Sequence, residues 1–211
     1  MMRRYLLIGA AAAMLAVPAL AFGRATTTVT VAPGGQLTYG PANVTKTVGA
    51  GAIHWKWGTD GTTALPHNVR QDDKLFNSGQ LTTSKPAGFT VVPSAGSFHY
   101  YCDLHGSRSG GMAGTIKIKP TIFNKVASSF GVRWSTGSNQ SGDAFDVRYR
   151  VDGGQWKTWK NDVTLGQATF GAGNKPVHVG PGHSYDIQAR SEKRAAPTKV
   201  SDWSPLVRVT T

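Results

Sequence analysis

The stretch from Tyr100 to Met112 reads YYCDLHGSRSGGM and holds the single cysteine of a 211-residue chain. Cys102, His105 and Met112 follow one another there, and the other methionines, Met1, Met2 and Met14, all lie near the N-terminus. A thiolate and a thioether suit Cu(I), and imidazole extends the set to Cu(II), so these three side-chain types in one short segment point to copper. The thiolate must lose its proton, and a bound metal drives that loss. Two imidazoles and a thiolate make a trigonal set, with methionine as a long axial ligand. The second imidazole must come from elsewhere. His67, in Leu65-Pro66-His67-Asn68-Val69, is the best candidate, because it follows a Gly/Thr-rich loop and precedes an apolar position. On this reading Cys102, His105 and Met112 share one loop between two strands.

The elements that must position them are strands. Helix signals are nearly absent, and Gly and Pro punctuate short alternating runs, an all-β pattern. Ile53, Trp55 and Trp57 alternate with His54 and Lys56; Phe98, Tyr100 and Cys102 alternate with His99 and Tyr101; Ile116 and Ile118 alternate with Lys117 and Lys119. Each run has one apolar and one wet face. That alternation puts His54 and His99 at the surface, away from the thiol. After Pro120 the pattern restarts: Phe130, Val132 and Trp134 form one inward face, and Phe145, Val147, Tyr149 and Val151 another. Tyr185, Ile187 and Ala189 form a third, and His178 and His183 are expected to be exposed. A domain boundary is placed near 119–121.

Residues 1–21 read as a signal peptide: Arg3 and Arg4, an apolar segment from Tyr5 to Val17, and Ala19-Leu20-Ala21 as a small-x-small cleavage site, with a second cut open after Ala25. The apolar run is short for a membrane span, and no second one follows. The expectation is an exported bacterial protein, periplasmic or extracellular, without a transmembrane segment. In an oxidising compartment a lone thiol needs an occupant, and a metal supplies one. The formal charge of +12 is spread without blocks. It fits solubility as well as attraction to acidic partners. Nucleic acid is excluded as a partner by the export signal and the lack of a reading motif.

Pro66-His67-Asn68-Val69, followed by Tyr101-Cys102, His105 and Gly111-Met112, resembles the plastocyanin-like cupredoxins over roughly residues 26–119. Val44, Val48-Gly49 and Ile53-x-Trp55 are similar to that family's early strands. The resemblance implies a Greek-key β-sandwich over 22–119 with one type 1 copper. His67, Cys102 and His105 would be equatorial ligands, Met112 axial, and Asn68 a residue that steadies the thiolate loop. Plastocyanin has a shorter gap between the last two ligands than the six residues separating His105 from Met112 here; Gly106, Gly110 and Gly111 are the residues able to absorb the difference.

Residues 120–211 resemble a fibronectin type III domain, carried by Trp134, Phe145-x-Val147-x-Tyr149, Pro181-Gly182-x-Ser184-Tyr185 and Trp203-Ser204-Pro205. This implies a second β-sandwich with Tyr185 as the corner tyrosine. Arg148, Arg150 and Arg190 should point outward and stack with Trp203 as a cation–π ladder, or stand as separate solvated arginines. Trp156 and Trp159 read as edge-strand packing or a ligand patch.

Two functions follow as expectations. One is an exported one-electron carrier cycling Cu(I) and Cu(II), with a redox partner protein, acidic if Arg108 makes a basic docking face, and a second domain that binds a partner, cell surface or polysaccharide. The other is a non-catalytic copper-binding module for adhesion, sequestration or delivery. An enzyme is not expected: the His-x-His pairs of further coppers and a Gly-x-Ser-x-Gly elbow are both missing from the sequence.

Overall fold

The computed structural model describes residues 25–136, 141–173 and 177–211. The expected signal peptide at 1–21 lies outside them. The described chain is all-β and forms two sandwiches. In the first, β2 (Tyr39–Gly40), β1 (Thr27–Val31), β4 (Ile53–Trp57) and β8 (Phe89–Val91) form one sheet in that order. The facing sheet runs β3 (Asn43–Thr47), β10 (Gly110–Lys119), β9 (Gly96–Ser107), β6 (Arg70–Gln71). A small two-stranded sheet pairs β5 (Thr62–His67) with β7 (Thr82–Ser84).

Alternation explains the core. Ile53, Trp55 and Trp57 are buried on one sheet, and Phe98, Tyr100, Ile116 and Ile118 on the other. Trp55 meets the edge of Tyr100 with ring centroids 5.3 Å apart, and Phe76 bridges to Phe98 at 6.0 Å. Rings of this size supply most of the apolar area such a core removes from water.

The second sandwich pairs a three-stranded sheet with a larger one. The small sheet runs β11 (Thr121–Val126), β12 (Ser129–Arg133), β15 (Gln167–Phe170). The large one runs β14 (Lys157–Val163), β13 (Ala144–Val151), β16 (Ser184–Lys193), β17 (Ala196–Val200), with β18 (Val207–Thr210) also on β16. Phe130, Phe170, Val147, Tyr185 and Ile187 fill the space between. The Tyr185 hydroxyl accepts a hydrogen bond from the Gly180 backbone N–H at 3.0 Å, tying the strand to the chain before it.

The outer face of the large sheet carries the arginine–tryptophan ladder. Trp203 lies between Arg148 (4.1 Å) and Arg190 (4.8 Å), and Trp156 between Arg148 (4.5 Å) and Arg150 (4.7 Å). Trp156 thus belongs to the ladder, which the sequence reading did not foresee, whereas Trp159 packs edge-on against Trp134 and Phe170. Asp146 is buried under Arg190, which donates to it from Nε and Nη2. Asp186 is likewise covered, and hydrogen bonding from Arg208, then Arg150, holds its carboxyl below the usual range.

The two sandwiches abut through a buried polar seam. The Ala95 N–H donates to the Trp134 carbonyl at 2.7 Å, and Ser97 and Asp202 exchange backbone hydrogen bonds of 2.9 and 3.0 Å. Ser94 is hydrogen-bonded to both Ser141 and Ser191, and the Ser191 hydroxyl donates to the Ala95 carbonyl at 3.0 Å. Separating the halves would strip partners from buried Ser94, Ser141 and Ser191. The protein should therefore melt in one calorimetric transition, and Ser191→Ala should lower its stability by about 1–3 kcal/mol. Two well-separated transitions in the unmodified protein would contradict this seam.

Candidate metal centre

One end of the first sandwich gathers His67, Cys102 and His105. His67 ends β5, where it pairs with Thr82. Cys102 and His105 do not sit in a loop, as the sequence reading had it. They lie on β9, which continues through them into a tight hairpin whose turn is Arg108-Ser109. Strict alternation would send residues three apart to opposite faces. The register resolves this: Ala113 pairs with Tyr101 and Gly111 with Gly106, so Met112 alone stands opposite residues 102–105. This wide bulge turns Cys102 and His105 to the same side.

The glycines permit the hairpin that follows. A Cβ on Gly106 would strike the Met112 carbonyl, and one on Gly111 would strike the carbonyl of His105. Gly111 also has φ of 81°, which only glycine adopts without strain. The six-residue gap between His105 and Met112 is taken up by the extra pairs Ser107–Gly110 and Gly106–Gly111.

The three ligand atoms converge. Cys102 Sγ lies 3.7 Å from His67 Nδ1 and 3.6 Å from His105 Nδ1, and the two Nδ1 atoms are 3.1 Å apart. A point equidistant from all three lies about 2.0 Å from each, close to a metal–nitrogen bond length. The donors therefore fit a trigonal soft-metal site. Among the described residues they are also the one cluster of its kind. His67, Cys102 and Met112 are buried, and the part of the cluster that reaches solvent belongs to His105.

Around the cluster, hydrogen bonds fix each piece. The Asn68 side-chain oxygen accepts the Asp103 N–H at 2.9 Å, and its amide donates to the Asp103 carboxylate at 2.7 Å and to the Gly79 carbonyl at 3.2 Å. Asn68 thus locks the residue next to Cys102. The Tyr39 hydroxyl donates to the Asn68 carbonyl at 2.6 Å; burial raises the phenol's pKa, so it stays a donor. Arg70 sits 2.9 Å from Asp103 and over the Tyr101 ring. His99 is not a free surface residue: its Nδ1 is 2.8 Å from Asp72. Arg108 is exposed, but its charge is met by Asp72 at 3.2 Å and Asp73 at 2.7 Å, so it offers little net charge to a partner. Sequence reasoning missed these pairs, because their members are far apart in the chain and carry no motif.

No family model matches the chain, and no curated protein matches it. Solved structures do. A methionine-to-alanine mutant of amicyanin in its Cu(I) state is 19% identical, over 44% of this chain and 81% of that one, with a TM-score of 0.34. An oxidised methionine-to-leucine mutant of amicyanin is 20% identical, over 47% and 85%, with a TM-score of 0.34. A structure described as a myokine is 13% identical, over 44% and 90%, at the same TM-score of 0.34.

Burial, and then the neighbouring His105, hold the His67 pKa below its ordinary 6.5. This favours the neutral, ligating form. It also sets a sign. The unfolded chain protonates His67 near 6.5 while the folded one resists, so the metal-free protein loses stability as pH falls from 6.5 through the folded value. Urea unfolding at about pH 7 and about pH 5 should show this loss, and His67→Gln should reduce it. An unchanged pH dependence in the variant would contradict the assignment.

Proposed function

We propose that this chain is an exported one-electron carrier with a type 1 copper held by His67, Cys102 and His105, and with Met112 as axial ligand. The observation that carries it is the triangle of two Nδ1 atoms and one Sγ with sides of 3.1, 3.6 and 3.7 Å. Copper in such a set exchanges one electron between Cu(I) and Cu(II). Cys102 supplies the thiolate, a soft ligand that suits Cu(I), and the imidazoles extend the set to Cu(II). His67 supplies a neutral imidazole because it is buried. Asn68 keeps the thiolate segment in place, so the donors need little movement when the charge at their centre changes.

The burial pattern favours a carrier over a catalyst. With His67, Cys102 and Met112 enclosed, a substrate has no route to the centre, whereas an electron can leave through His105. Leu104, beside it, is 55% exposed. Because Arg108 is neutralised, this apolar contact, and not a basic patch, would seat a redox partner. The resemblance of residues 120–211 to fibronectin type III domains makes the second sandwich a module for holding a partner or a cell surface. Residues 1–21 would direct export, and no helix of the described residues is long and apolar enough to cross a membrane. The alternative, a copper-delivery module, differs in one respect: it should release its metal on reduction.

Titrating the protein with Cu(II) should give an intense thiolate-to-copper absorption and a narrow copper hyperfine splitting at one copper per chain. Cys102→Ser should abolish the band; Met112→Leu should keep it and raise the potential. A plain tetragonal copper spectrum would overturn the reading, and copper loss on each reduction would move it to delivery.

A further inference from the structure

We infer that Arg108 and the Asp72–Asp73 turn form an ionic latch that positions His105. This rests on the copper reading above for its purpose, though not for its geometry. The hairpin after the bulge closes through the pairs Gly106–Gly111 and Ser107–Gly110. Its turn projects Arg108, whose Nη2 lies 2.7 Å from Asp73 Oδ1 and whose Nε lies 3.2 Å from Asp72 Oδ2. Two carboxylates therefore receive two different nitrogens of one guanidinium, a directional contact that a lysine could not copy.

The receiving turn is itself rigid. Gln71, buried, accepts the N–H groups of Asp73 at 2.9 Å and Leu75 at 3.0 Å on its side-chain oxygen. Asp72 is fastened to the cysteine strand twice: its N–H donates to the His99 carbonyl at 3.2 Å, and its carboxylate meets His99 Nδ1 at 2.8 Å. Arg108 thus ties the far end of the hairpin back to β9 on the other side of the ligands. Between these two anchors lie Cys102 and His105. Asn68 holds the Cys102 end through Asp103. Among the described residues, the segment from Leu104 to Gly111 has no comparable side-chain tie to the rest of the sandwich except this latch, apart from the contact of His105 with its fellow ligands. The glycines at 106, 110 and 111, which the hairpin requires, bring no side chains of their own to anchor that segment.

An exposed ion pair alone is worth little and is screened by salt. Its effect should therefore be local. In the metal-free protein, Arg108→Ala should speed amide hydrogen exchange of residues 104–111 by about three- to tenfold and leave the sheet cores unchanged. Salt near 1 M should bring the unmodified protein toward the same rates. The charge swap Arg108→Asp with Asp73→Arg should restore slow exchange. In the copper-loaded protein, Arg108→Ala should raise the potential, because a loosened imidazole supports Cu(II) less well, and the swap should lower it again. Unchanged exchange in Arg108→Ala, or faster exchange throughout the domain, would overturn the latch. So would a potential that stays fixed while only electron exchange with a partner changes, which is the signature of a docking residue. If exchange responds as described but copper gives no thiolate band, the latch stands and the copper reading falls.

Discussion

Three electron-pair donors held within 4 Å of one another are the constraint on which this structure turns. Without a metal, two imidazole nitrogens and a sulfur at 3.1 to 3.7 Å share protons in hydrogen bonds, the donor in each being set by the imidazole tautomer and the thiol proton. The scaffold brings them together. Each comes from a different place: the end of β5, and two positions in a bulge of β9. Both β9 positions are backed by Met112, and the bulge survives because Asn68 satisfies the Asp103 amide that the ladder has abandoned. A soft cation at the centre would take the place of those protons and meet all three donors at about 2.0 Å.

The same strand links this site to the rest of the chain. β9 begins at Gly96, inside the seam between the sandwiches, where Ser97 pairs with Asp202. It ends in the hairpin that carries His105. Trp203, next to Asp202, is clasped by Arg148 and Arg190 on the second sheet. The second sandwich thus holds the start of the strand whose other end presents the ligands. The seam and the metal cluster occupy opposite ends of β9, which leaves the His105 surface clear of the second domain.

Much of this was legible in the sequence, and the reason is periodicity. Ile53, Trp55 and Trp57 announce a half-buried strand, and Phe130, Val132 and Trp134 do so again, because one face of each must leave water. The residues that converge were partly legible by chemical type: Cys102 and His105 are rare residues placed close together, and His67 joins them from β5. The outward positions of Arg148, Arg150, Arg190 and Trp203 allowed a ladder and allowed separate solvated arginines equally; the stacking distances decide for the ladder. What alternation could not supply was the bulge, since it predicts opposite faces for Cys102 and His105. Nor could it supply the seam. Ser94, Ser141 and Ser191 are short polar residues whose burial depends wholly on meeting one another. Arg108 misled for a related reason: a charge in a polar loop reads as free until distant carboxylates, Asp73 being 35 residues away in the chain and Asp72 beside it, are brought to it.

The most direct test of the account is X-ray absorption at the copper edge on the loaded protein in both oxidation states. The account predicts one short sulfur and two nitrogens in the oxidised and the reduced form alike, with only small changes in distance, because the scaffold and not the metal sets the triangle. A first shell of nitrogen and oxygen alone, or a sulfur lost on oxidation, would contradict it.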